Sequence, residues 1–469
     1  MPPLRFVATV LTLLLATFTL AQAPPANFAP PVYYASSGLA SDAIAVADFN
    51  RDGKLDLVIG NSDSVSLLLG NGDGTFQPAV TYAGGAQANS LAVVDVNGDG
   101  FLDVVAGNAS NVSVFLGNGD GTLQPALTID IVPLALAVAD VNRDGIPDIV
   151  ATVSTGIAVL LGNGDGSFKA PVMTATVASY AVAVADLDND GNPDAVIVTF
   201  FGEITSKERV HATVGLLRGN GDGTFQPPIN YDTGGFYPRQ ITIADMNLDP
   251  WLDILVVNYL GTMNQITGSV GVLLNNGEDV FFLQPVSPGG YYAYSAAAGD
   301  LNGDGVPDLA IGIGGAIVVE LTGGQVRQHK VAGDSAIVIA DLNGDLQPDL
   351  VSVSPCIDYP ACSTGGAAVL LSKAYPSKTT VTSSLNPSPS GHAVTFTAAI
   401  SSERGTPPDG IIITFFDGAT KLGTGTTLKG AATFSTSTLK AGKHTIKATF
   451  PGCPFFEGSK SAVSQVVNP

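Results

Sequence analysis

The sequence predicts an all-β fold, a seven-bladed β-propeller followed by a smaller β-sandwich. Three observations carry that prediction. A nine-residue aspartate-rich segment recurs seven times, and each copy sits among four short apolar runs. The 469-residue chain also holds 55 Gly and 30 Pro with only 13% charged residues, which suits many short strands joined by tight turns.

The segment reads DFNRDGKLD from Asp48, and its copies begin at Asp95, Asp140, Asp186, Asp245, Asp300 and Asp341. Successive starts lie 47, 45, 46, 59, 55 and 41 residues apart, about the length of one propeller blade. In the first unit a run over Ala43 to Ala47 enters the aspartate segment and a run over Leu55 to Ile59 leaves it. A third run follows over Val65 to Leu69, then a Gly-Asn-Gly-Asp-Gly turn, then a fourth run over Ala79 to Tyr82. The seventh unit stops after its third run, Ala367 to Leu371. The N-terminal stretch Phe28 to Tyr34 matches Phe76 to Tyr82, so the missing outer strand is expected from Val32 to Tyr34. That pairing closes the ring and removes two exposed sheet edges.

On these residues the chain resembles the FG-GAP/VCBS-type repeat family, the integrin-α-like calcium-binding propellers, over residues 28–374. Residues 379–467 resemble a bacterial Ig-like repeat domain, carried by Val394 to Ala398, Ile413 to Gly418 and Gly442 to Phe450. The turn of that family usually holds an acidic residue where Cys453 stands.

The chemistry expected of the aspartate segment is calcium binding, because Ca²⁺ takes six to eight hard oxygen ligands and a short loop delivers them at alternate positions. Position 1 is Asp48, Asp95, Asp140, Asp186, Asp245, Asp300 and Asp341; position 3 is Asn50, Asn97, Asn142, Asp188, Asn247, Asn302 and Asn343. Position 5 is Asp52, Asp99, Asp144, Asp190, Asp249, Asp304 and Asp345; position 9 is Asp56, Asp103, Asp148, Asp194, Asp253, Asp308 and Asp349. An EF-hand needs an acid at position 12, where this chain has Ile59, Ala106, Ala151, Ile197, Val256, Ile311 and Ser352. Position 6 supplies a left-handed turn and is glycine except at Pro250 and Leu346, so the Asp245 and Asp341 sites are expected to be weak, empty or reshaped. Seven bound Ca²⁺, each contributing two charges, would bring the net charge from −21 to −7. The Gly-Asn-Gly-Asp-Gly turns at Asp73, Asp120, Asp165 and Asp222 read as tight hairpins rather than second metal sites.

That acidic balance excludes nucleic acid as a partner, since phosphate binding needs a basic stripe. Met1 to Ala23 has the order of a secretory signal peptide: Arg5, an apolar stretch from Phe6 to Leu20, then small residues. Residues 1–21 are expected to be removed, and the apolar run falls short of the ~20 residues of a spanning helix. A secreted or cell-surface location is expected, with the periplasm as the other oxidising compartment, and with no membrane span in the mature chain. Cys356 and Cys362 are close enough in sequence to bridge there, leaving Cys453.

Alternation of strand direction puts the aspartate loops on one rim and the blade-to-blade connections on the other. Long connections at Phe200 to Thr213, Asn258 to Ser269 and Ser354 to Gly366 fall on that second rim, as do Phe236, Tyr237, Arg239, Tyr291, Tyr292 and Tyr294. With Phe201 and Tyr259 they predict an aromatic patch that takes a glycan or protein ligand. No H-E-x-x-H, nucleophile elbow or phosphate loop occurs, and the four His are scattered. The expected function is therefore an extracellular binding or adhesion module without catalytic residues. A carboxylate-based polysaccharide lyase or hydrolase is the alternative.

Overall fold

The structure, a computed structural model, describes residues 26–84, 87–201, 211–260, 268–277, 281–286, 292–322, 324–333, 335–354, 357 and 364–469. The expected signal peptide, the Cys356 and Cys362 pair and Tyr291 lie outside the described residues. Every regular element among those described is a strand.

The repeat region forms five four-stranded sheets and one seven-stranded sheet, all antiparallel. In the first unit Ser41–Ala47 pairs with Asp56–Asn61, that strand with Ser64–Leu68, and that with Val80–Ala83. The two middle strands are completely buried, as expected for strands covered on both faces, while the outermost strand is largely exposed. The N-terminal strand Val32–Ala35 pairs with Gly366–Leu370 and completes the sheet of the last unit, with Val32 opposite Val369.

The seven-stranded sheet departs from the expected plan. The segment around Tyr237 was expected to be a connection between units, but Ile229–Ala244 is one strand of 16 residues. Its first part pairs with His211–Leu217 and its second with Asp253–Leu260, each with a register shift. The fourth and fifth units therefore share a strand.

The first strands of successive units touch in order around a ring, and the last, Ile337–Ala340, returns to the first, Ser41–Ala47. The core follows the same circuit. Each apolar cluster joins one unit to its neighbour; Leu57, Ile59 and Leu68 of the first unit pack with Leu342, Val351 and Val353 of the last. Aliphatic and small side chains from two faces interlock, and that burial is the principal source of stability.

Beyond the ring, a three-stranded and a five-stranded sheet face each other over Phe396, Ile413, Phe415, Ile446 and Phe450. Val394–Ser402 alternates buried and outward residues, the period of a strand with one face in the core. This sandwich meets the ring through Tyr375, whose backbone pairs with Phe455 and Glu457 at 2.9 and 2.8 Å. The ring of Phe455 lies against Gly303 of the sixth aspartate loop.

Candidate functional site

Each aspartate loop is wound by its own side chains. In the first, Asp48 accepts from the N–H of Asp52 at 3.2 Å and of Gly53 at 2.9 Å. Asn50 accepts from Asp52 at 3.0 Å, and Asp52 from Lys54 at 3.0 Å. Short polar side chains that bond backbone a few residues on make such turns fold locally. The same set recurs in the third loop, from Asp140, Asn142 and Asp144.

The aspartate at position 9 has a different environment. Asp56 is fully buried and bridges two N–H groups, Phe49 at 2.9 Å and Gly70 at 2.8 Å. Its six equivalents do the same, tying the loop to the hairpin turn 14 or more residues on. Burial, aided by the neighbouring loop carboxylates, pushes these carboxyls up against the pull of two N–H donors, Asp308 to about 7 and Asp349 to about 6. A cation among the carboxylates would favour their charged form. The donor set of every loop is carboxylate and amide oxygen without nitrogen or sulfur, which fits calcium. In the fourth loop, ligand oxygens of Asp186, Asp188 and Asp194 lie within 4.8 Å of one another, and here the Arg218 guanidinium already stands against Asp188 and Asp194.

Backbone conformation refines the sequence reading in two ways. Position 4 is left-handed in all seven loops, at Arg51, Gly98, Arg143, Asn189, Leu248, Gly303 and Gly344, although only three of these are glycine. At position 6, Leu346 adopts a φ of 63° and its N–H reaches Asp341 at 2.8 Å, so the seventh loop keeps the shape of the others. Pro250 has no N–H and is not left-handed, so the fifth loop lacks that bond.

The glycine-rich turns are closed by their own carboxylates. Asp73 accepts from both the N–H and the hydroxyl of Thr75, at 3.0 and 2.5 Å, and these bonds hold its carboxyl below the usual range. Asp120, Asp165 and Asp222 do likewise.

At the other rim, where the first strands begin, a cavity of about 490 Å³ opens on the ring axis. Its wall includes Asp42, Asn89, Leu134, Tyr180, Arg239, Tyr294 and Ser335. Each of these stands six residues before the first aspartate of its loop, one from every unit. Tyr237 and Pro238 complete the aromatic side. Tyr259 and Tyr292 stack beside it, with centroids 4.2 Å apart and planes 5° from parallel. The Arg239 guanidinium lies 4.5 Å from the Tyr259 centroid and 5.6 Å from that of Tyr294.

The expected patch is thus assembled in part: Tyr237 and Arg239 face the cavity while Tyr259 and Tyr292 flank it. Phe236 is buried, at 6% exposure, and belongs to the core rather than the patch. The side chain of Phe201 and all of Tyr291 lie outside the described residues. Tyr180, 58% exposed on the cavity wall, was missed by the sequence reading, although its spacing from Asp186 marks it.

Comparison with known proteins agrees with this architecture. The FG-GAP-like repeat model matches residues 48–106, 95–151, 140–197 and 245–311, and the FG-GAP repeat model residues 292–331. The bacterial Ig-like domain (group 3) model matches residues 381–468. The chain is an FG-GAP repeat protein with a C-terminal bacterial Ig-like domain. Integrin alpha-7 of Homo sapiens is 29% identical over 143 residues, covering 25% of this chain and 12% of the integrin. The chain therefore spans a small part of the curated relative it matches. Among solved structures, BBS1N in complex with ARL6DN is similar over 74% of this chain and 98% of its own, at 10% identity and a TM-score of 0.50, a likeness of fold. A lectin of Agrocybe aegerita that recognises non-reducing terminal N-acetylglucosamine is similar over 66% and 91%, at 20% identity and a TM-score of 0.46.

Proposed function

We propose that this chain is a secreted, seven-bladed, calcium-loaded propeller that acts as a binding or adhesion module, and that it holds a glycan at the rim opposite the aspartate loops. One observation carries the reading: every unit sends one side chain from the same position into the axial cavity, and these side chains are unlike one another. Tyr180, Tyr237 and Tyr294 offer ring faces on one side with Arg239, while Asp42, Asn89 and Ser335 offer hydrogen-bonding groups on the other. Apolar faces beside a few convergent polar groups suit a sugar, which has both. Calcium in the opposite rim fixes the loops into which the first strands run, and so the spacing of the cavity wall.

The role is binding without turnover. A glycan array probed with the mature chain, with and without Tyr180→Ala, Tyr237→Ala and Arg239→Ala combined, tests this. Saturable binding that falls at least tenfold in the triple variant, with an unchanged melting temperature, is expected, since hot-spot side chains carry about 2 kcal/mol each. Binding that survives the change, or release of shortened sugars from the bound glycan, contradicts it.

A further inference from the structure

The residue that precedes each hairpin turn is Leu69, Leu116, Leu161, Leu274, Leu321 or Leu371 in six units, and Arg218 in the fourth. Where the turns end in glycine, the leucine packs beneath the next turn: Leu69 lies against Gly121, Leu116 against Gly166, Leu161 against Gly223 and Leu371 against Gly74. In the next unit the sequence at this point reads Asn275-Asn276-Gly277-Glu278-Asp279, with Asp279 where the other turns carry the glycine that receives a leucine. Arg218 is instead 8% exposed and turns into the loop of its own unit. Its Nη1 donates to Asp194 Oδ2 and lies 3.2 Å from Asp188 Oδ2.

Those two partners are positions 9 and 3 of the fourth loop, which is also the loop with Asp rather than Asn at position 3. The additional carboxylate and the arginine thus occur in the same unit and touch. A buried guanidinium bridging two carboxylates gives each a charged partner, whereas removing it leaves the buried Asp194 without one. A divalent ion sharing these oxygens would sit beside a fixed positive charge held in place by burial, and the two repel.

We propose that Arg218 is the resident cation of the fourth loop, which closes without metal while its sibling loops take calcium. This rests on the calcium reading of the other loops. It makes the fourth unit a part of the ring whose geometry does not respond to calcium concentration.

Calcium content per chain after equilibrium dialysis, with thermal unfolding in EGTA, tests the proposal on the full mature chain. The variants are Arg218→Leu and Arg218→Leu with Asp188→Asn; the double change restores the residues found in the first three units and guards against misfolding of the single one. Both are expected to hold one more calcium ion per chain than the unaltered protein, and Arg218→Leu to melt lower than it in EGTA. Equal calcium content in all three proteins, or an unchanged melting temperature for Arg218→Leu in EGTA, overturns the proposal. If the unaltered chain holds no calcium, the calcium reading fails, and the EGTA comparison still decides whether Arg218 closes the loop.

Discussion

At the scale of single residues, the loops show how a nine-residue pattern encodes two left-handed positions of which only one is visible. Glycine at position 6 of five loops announces the second; the first, at position 4, is masked because Arg51, Arg143, Asn189 and Leu248 also adopt it. Three of these are rewarded by reaching the next loop. Arg51 donates to the carbonyl of Gly100, Arg143 to Asn192 at 3.2 Å, and Asn189 to the carbonyl of Pro250 at 3.3 Å. Leu346 has no comparable compensation, standing 75% exposed with a φ of 63°. Replacing it with glycine keeps the N–H that reaches Asp341 and relieves the clash of a left-handed β-carbon. Leu346→Gly is therefore expected to raise stability by about 1 kcal/mol in denaturant unfolding. The axial ring was legible too, by counting six residues back from each loop, yet its members share no chemistry, so no motif draws attention to them.

At the scale of elements, the four-strand unit was readable because apolar runs alternate with turn chemistry at fixed spacing. The donated outer strand was readable for the same reason, since Phe28 to Tyr34 repeats Phe76 to Tyr82. What the pattern does not reveal is where a connection straightens into strand. Ile229–Ala244 contains Gly234, Gly235 and Pro238, which punctuate a sequence as loop, yet its two ends pair with different partners and the strand continues through left-handed Gly234 and Tyr237, at φ 71° and 54°. The N-terminal strand gives the sharpest test at this scale. Deleting Phe28 to Ala35 removes Val32–Ala35 and leaves the edge of Gly366–Leu370 unpaired. Aggregation or loss of cooperative unfolding is expected by light scattering and calorimetry, because an open edge of apolar strand templates association. A soluble truncation with the original transition would contradict ring closure by this strand.

At the scale of the whole molecule, opposite rims divide the work. One rim is built from seven acidic loops, each anchored by a buried aspartate that braces the next turn; the other opens into a cavity to which every unit contributes. The net charge of −21 belongs largely to the first rim, so a chain without cations repels itself there. The central claim is that calcium holds this ring. A ligand bound only by the folded state at a hundredfold excess over its Kd stabilises by about 2.7 kcal/mol per site, so several occupied sites would dominate the stability of the molecule. The most direct measurement is thermal unfolding of the mature chain in millimolar calcium and in excess EGTA. The account predicts a clearly lower melting temperature in EGTA, restored by adding calcium back; superimposable melting curves in the two buffers would contradict it.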